Sequence, residues 1–258
     1  MQTNRDGQIV AWIGRLGAAG AEHVMRRFGM GRSSAYNRLM LLERAGLLAH
    51  HSVLYERPGM YSATAAGLRW QGLERHGVFK ARPGTFEHTW QVAHAAAELH
   101  RALPDWDVLS EREIRLVEAD GGSPFASVRV GGVGDDQVLH RPDLALALPG
   151  MGVVPVEVEL SVKSPRRLAK ICRGWARARH IDRVYYLATR GPARALQRAV
   201  KATHAEDRVR VLALDDIPML AAEVLIEREG RQAFVVAPPE PAHRPSAFRK
   251  GGSALALD

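Results

Sequence analysis

Hydrophobic positions change period several times along the chain, and the changes divide it into elements. Ile9, Ile13 and Leu16 recur at helical spacing over 8–16, and Gly17 and Gly20 end that pattern. A second short helix is predicted over 21–28, stopped by Gly29. The turn GMGRSS leads into a third helix with Leu39, Leu42 and Ala45 on its apolar stripe, Ser33 or Ser34 placed to cap it, and Gly46 to stop it. Residues 47–55 and 60–63 then read as a hairpin around Arg57-Pro58-Gly59, and 64–72 as a closing helix. Three helices and a β-wing make a winged helix-turn-helix.

Beyond a connector rich in Gly and Pro, 86–103 reads as a helix with Phe86, Trp90, Ala93 and Ala97 on a buried stripe. Glu87, Gln91, His94 and Glu98 repeat on another face, the ordinary pattern of a solvated side, with His88 between the two. Residues 106–117 and 127–130 read as strands. GGVGDDQ at 131–137 reads as a turn, without the strand-to-helix context of a phosphate loop. Asp143 heads a short apolar run. In the next run Val156, Val158 and Leu160 alternate with Glu157 and Glu159, so both glutamates project from one face of a strand. Ser164-Pro165 opens a helix as cap and first residue, with Leu168, Ile171, Trp175 and Ala178 buried. Strands at 184–188 and 209–214 flank a helix at 192–203. This alternation predicts an α/β (α+β) chain: a winged helix over 1–75, a linker over 76–85, a mixed α/β domain over 86–237 and a flexible tail over 238–258.

Charge sharpens that division. Residues 1–85 carry 12 Lys/Arg against 5 Asp/Glu, and residues 86–258 carry 24 against 23. A small domain holding nearly all of the +8 excess points to a polyanionic partner, most simply double-stranded DNA. In a winged helix the N-terminal part of the third helix enters the major groove, which nominates Arg32, Ser33, Ser34, Tyr36, Asn37 and Arg38. Arg57 at the wing tip would meet a phosphate. No apolar run reaches the ~20 residues of a membrane span and the N-terminus lacks a signal-peptide core, so no membrane partner and a cytoplasmic location are expected. The single cysteine, Cys172, rules out a disulfide or a Cys-based zinc site within the chain.

The candidate chemistry lies in HRPDLALALPGMGVVPVEVELSVKSPRRLAKI, from His140 to Ile171. Asp143, Glu157 and Glu159 are costly to bury unless paired or metal-bound, and three converging carboxylates would suit Mg or Mn. Arg166, Lys170, Arg173 and Arg177 form a basic ridge on the following helix that could grip phosphates or simply be solvated. The order of elements resembles the PD-(D/E)xK nuclease fold. That resemblance implies metal binding by Asp143 and Glu157 and a lysine beside the attacking water. Glu159 stands at the usual lysine position, a replacement the resemblance allows in active members of the class; otherwise the lysine role would move to Lys163 or Lys170.

Over the globular region the chain resembles the plasmid replication-relaxation family, through His88 in FEHTW, Arg141-Pro142-Asp143, Glu157-Val158-Glu159 and Lys170 in RRLAKICRGW. The resemblance implies a plasmid or mobile-element protein acting in replication, relaxation or transfer, and it brings His88 toward the site. Replication or transfer proteins would be its partners. A homodimer is compatible with a winged helix, although no heptad marks an interface. Two functions stay open: a metal-dependent DNA nickase or endonuclease, and a catalytically inactive nuclease-fold regulator or accessory factor. In the second, Glu157 and Glu159 would pair with Arg141, Arg166 or Arg167. A covalent relaxase would need Tyr185 or Tyr186 beside a His pair, and both tyrosines sit in an apolar strand.

Overall fold

The computed structural model describes residues 3–52, 55–132, 138–149 and 152–236, with 230–236 as backbone. Its N-terminal region contains α1 (Asn4–Leu16), β1 (Ala18–Gly20), α2 (Ala21–Phe28), α3 (Arg32–Arg44), β2 (Leu48–His51), β3 (Met60–Ala63) and α4 (Ala65–Trp70). Local chemistry sets these limits. Thr3 and Asp6 form a capping box on α1, Thr64 caps α4, and Gly29 ends α2 at a left-handed φ of 61°. Neither Ser33 nor Ser34 caps α3: extended Gly31 is the N-cap, so the helix starts at Arg32 and both serines lie in its first turn. β2 and β3 pair antiparallel as the wing, from Leu48↔Ala63 to His51↔Met60. β1 adds a third strand on β3, too short at three wholly buried residues to show a period in the sequence. Residues 53 and 54 of the expected wing strand lie outside the described residues.

Short 3-10 turns at Glu74–His76 and Pro83–Thr85 occupy the connector. There follow α5 (Phe86–Ala102), β4 (Asp107–Ser110), α6 (Glu111–Gly121), β5 (Val128–Gly131), β6 (Val138–His140), β7 (Leu144–Ala147) and β8 (Val153–Glu159). The order closes with α7 (Pro165–Arg177), β9 (Val184–Ala188), α8 (Arg190–Ala202), β10 (Val209–Ala213) and α9 (Ile217–Val236). The main sheet runs β10-β9-β8-β7-β4, with β8, β9 and β10 parallel and β7 and β4 antiparallel. β5 and β6 form a separate ribbon. The chain is therefore a mixed α/β protein.

The expected strand at 106–117 is corrected. Only Asp107–Ser110 is strand, and α6 starts at Glu111 behind a capping box in which Ser110 Oγ and the Glu113 side chain satisfy each other's backbone N–H. The S-x-x-E signature outweighed the apparent alternation. Most of the 131–137 turn and all of the tail from 238 fall outside the described residues.

Two layers of core cover the sheet. Leu144, Leu146, Val156, Val158 and Leu187 share one apolar cluster with Ala93, Ala96 and Leu99 of α5 and with Ile9, Ile13, Val24 and Leu39 of the winged region. Ala145, Val184, Tyr186 and Val209 face the other way, onto Leu168, Trp175 and Leu196 of α7 and α8. Small alanines on several sides of α5 let it sit buried between the sheet and α2, the pattern of a helix that is apolar all round. The 76–85 linker thus joins two regions whose cores are continuous. At their seam the His23 and Trp90 rings lie 4.5 Å apart, and a Cβ on Gly20 would come within 2.7 Å of the Trp90 ring.

Candidate functional site

The carboxylates converge at the carboxyl end of β8, the end of a parallel sheet where α/β proteins hold ligands. Leu144 pairs with Val156, so Asp143, one residue before β7, stands across from Glu157. Asp143 is tied down twice: its Oδ2 accepts from Val158 N at 2.8 Å, and its carbonyl accepts from Glu111 N at 2.9 Å. His88, in the first turn of α5, places Nε2 3.3 Å from Asp143 Oδ2 and 3.2 Å from Val158 O. His140, the last residue of β6, places Nε2 2.6 Å from Glu157 Oε1. Lys163 Nζ meets Glu159 Oε2. These groups line an open cleft of about 610 Å³, with Glu87, Glu111, Arg115, Arg141 and Arg167 also on its walls.

Electrostatics follow from burial. Glu157 and Glu159 are each only 5% exposed, in a setting that penalises an isolated charge. Burial pushes the Glu157 carboxyl up, against the pull of His140. Burial alone would depress His140, but the Glu157 charge and hydrogen bond outweigh it and the imidazole rises. Both shifts favour protonation, so the pair holds on to a proton that separated groups would release. His88 also rises, chiefly through its hydrogen bond to Asp143. Burial lowers Lys163, with Glu157 and Asp143 opposing.

Each acidic group of the expected metal site therefore has a basic partner of the protein's own: His88 on Asp143, His140 on Glu157, Lys163 on Glu159. Among the described residues, no three His, Cys, Asp or Glu side chains are arranged to hold a metal ion. Held this way the residues do not fit a divalent ion, because the carboxylate oxygens would first have to be freed from His88, His140 and Lys163.

Of the two candidate lysines, the fold brings only Lys163 into the cleft. Lys170 lies over the β5–β6 ribbon, where a Cβ on Gly131 would come within 2.7 Å of its Nζ. The ion pairs expected for Glu157 and Glu159 with Arg141, Arg166 or Arg167 are replaced by the His140 and Lys163 pairs. Arg141 instead meets Glu118 at 3.0 Å. The same carboxylate accepts from Phe125, Ala126 and Ser127 N at 3.0–3.3 Å, which locks the loop before Asp143. Arg166, Arg173 and Arg177 are exposed on α7. Tyr185 and Tyr186 are core residues, Tyr185 raised to about 12 by burial and Tyr186 accepting from Trp175 Nε1 at 2.9 Å. Glu98 pairs with Arg26 and Arg101, the former across the seam to α2.

Sequence reasoning assigned no role to His140 or Glu118, and it placed Arg167 only as a possible ion-pair partner of the two glutamates. A signal existed for His140, three residues before Asp143 in HRPD. Glu118 was hidden because it follows directly on the 106–117 segment expected as a strand, where the structure continues α6.

The winged region presents the opposite picture. α2 and α3 meet at a short turn, and the first half of α3 leaves Arg32, Ser33, Ser34, Tyr36 and Asn37 exposed, with the Arg32 guanidinium 5.7 Å over the Tyr36 ring. Arg38 is half-buried and lies 3.3 Å from Asp6, an ion pair that fastens α3 to α1. Arg57 at the wing tip is exposed, 3.8 Å from Glu87 on the cleft wall, so the wing borders the cleft.

No family model matches the chain, and no curated protein matches it. Among solved structures it is similar to protein VC1899 from Vibrio cholerae, with 11% identity and a TM-score of 0.31 over 87% of this chain and 56% of that one. The chain spans a little over half the length of that protein. Among the described residues, no helix is long and apolar enough to cross a membrane.

Proposed function

We propose that the chain is a double-stranded DNA-binding protein that reads sequence through α3 and steadies itself through the wing. One observation carries this reading: the exposed first half of α3 offers Arg32 and Asn37, neither with an ion pair or a side-chain hydrogen bond among the described residues. Arg and Asn are the side chains that bond bidentately to guanine and adenine edges, each good pair giving roughly 1–3 kcal/mol of discrimination. Arg57 supplies a phosphate contact that fixes register. The resemblance to plasmid replication-relaxation proteins would place the activity in the replication, relaxation or transfer of a plasmid or mobile element. The test is selection of bound duplexes from a random pool. Wild type should enrich a defined sequence, and an Arg32→Ala, Asn37→Ala variant should retain weak binding but enrich none. Failure of wild type to bind any duplex would overturn the proposal.

The cleft supports a second reading, metal-dependent nicking. The favouring observation is that Asp143, Glu157, Glu159 and Lys163 all line one open cleft. Mg or Mn would bind there only after His88, His140 and Lys163 left their carboxylates. Nicking of supercoiled plasmid with either ion, abolished by Asp143→Ala with Glu157→Ala, would establish it. Intact plasmid from a protein that still shifts DNA would leave the cleft a charge-compensated scaffold in an accessory or regulatory protein.

A further inference from the structure

The two helices on the far face of the sheet contain no acidic residue. α7 carries Arg166, Arg167, Lys170, Arg173 and Arg177, and α8 carries Arg190, Arg194, Arg198 and Lys201. All nine are exposed, while Leu168, Ile171, Trp175, Leu196 and Val200 turn inward and pack the two helices onto the sheet. Among the described residues, none of the nine enters an ion pair.

Solvated helices of this chain usually interleave their charges, as Glu111 with Arg115 and Glu98 with Arg101 do at i,i+4 and i,i+3. Like charges at i,i+4 cost a helix a few tenths of a kcal/mol each, so an acid-free pair of helices is a pattern that a polyanion would relieve.

The dimensions suit one kind of polyanion. From Arg166 to Arg177 a helix rises about 16 Å, and packed helices lie about 8–10 Å apart, so the two ridges form a basic panel rather than a line. Duplex DNA presents about one phosphate charge per 1.7 Å of axis along such a panel. Neither helix exposes a large apolar side chain among the described residues, and a membrane-surface helix would need one to insert. Arg167 also lines the cleft, so the panel begins at the cleft rim and extends away from it onto α8.

We infer that the α7–α8 face is a second, sequence-independent DNA-backbone binding surface, with Arg190, Arg194, Arg198 and Lys201 of α8 as contacts separate from the winged helix. The inference rests on the reading of the chain as DNA-binding and adds a site that the winged helix does not supply. Through it the second region would hold phosphates next to the cleft while α3 reads bases elsewhere.

The experiment uses the full chain carrying Arg190→Gln, Arg194→Gln, Arg198→Gln and Lys201→Gln together, titrated against a random-sequence duplex at several salt concentrations. All four side chains are exposed, and a melting curve matching wild type checks the fold. Affinity at low salt should fall at least about tenfold, and the dependence of log K on log salt should flatten by about one for each residue that touches a phosphate. Asn37→Ala, by contrast, should leave that slope unchanged. Wild-type affinity and slope in the α8 variant would overturn the second surface and leave the winged-helix reading standing. A wild-type protein that binds no duplex would overturn both. Binding to phosphatidylserine vesicles but not to duplex, lost in the α8 variant, would replace DNA by an anionic membrane and overturn the inference.

Discussion

The first turns of α3 and the cleft at the end of β8 treat charge in opposite ways. On α3, Arg32 and Asn37 stand exposed, and among the described residues neither has an ion pair or a side-chain hydrogen bond. In the cleft, Asp143, Glu157 and Glu159 are each matched by a histidine or lysine. A surface meant for a partner leaves its bonding capacity open and accepts little cost, because water satisfies it meanwhile. A buried carboxylate has no such option, since an unpaired charge there costs several kcal/mol. The two differ in what a ligand would have to break: the polar groups of α3 need only shed water, whereas the cleft carboxylates must first part from His88, His140 and Lys163. Arg38 shows how fine the division is: one turn along the same helix, it is already committed to Asp6.

The comparison can be broken from the cleft side first. Trp175 is fully buried beneath the cleft, and its Nε1 donates to Tyr186 OH, the residue in register with Glu157. Trp175→Ala should cost about 3–5 kcal/mol in urea unfolding. A loss below about 1 kcal/mol would show that α7 does not hold the cleft floor. Next comes the seam that makes the two regions one body. Gly20→Ala drives a methyl into the Trp90 ring and should cost about 1–3 kcal/mol, and unchanged stability would mean that the seam is loose.

Acidity sharpens the contrast further. His88 and His140 both have raised folded pKa values, the first through the Asp143 hydrogen bond and the second because Glu157 outweighs burial. A raised folded pKa gives stability that is fully present below the unfolded value near 6.5 and is lost as pH rises through the folded value. The part of the urea midpoint owed to these two histidines should therefore drop as pH rises above about 6.5, while His23 and His100, lowered to about 3 by burial, contribute in the opposite direction. His88→Gln with His140→Gln should flatten that drop, whereas a drop identical to wild type would place its origin elsewhere. The smallest effect belongs to the wing. Arg57→Ala removes only an exposed contact with Glu87, so stability should change by about 0–1 kcal/mol while DNA affinity weakens equally for all sequences.

Much of this was legible because local signals agreed. The glycine stops after α2 and α3, the Ser164-Pro165 start of α7 and the apolar run of β9 all mark their elements in the sequence. The alternation of Glu157 and Glu159 with Val156 and Val158 gave the face of β8 correctly. Partner choice was not legible, because it depends on chain crossings far apart in sequence. Glu118 reaches Arg141 only once α6 is recognised as a helix, and His140 meets Glu157 only through the β6 and β7 connections. The shared core was hidden for a similar reason. The alanines of α5 look like an ordinary helix interior until α2 and the sheet close on both sides.

The most direct test titrates one duplex, chosen by selection with wild type, against wild type, an Arg32→Ala, Asn37→Ala variant and an Asp143→Ala, Glu157→Ala variant. Preference for that duplex over a scrambled one should collapse by about tenfold or more in the α3 variant and stay at the wild-type value in the cleft variant. An α3 variant that keeps the full preference, or a cleft variant that loses it, would contradict the account.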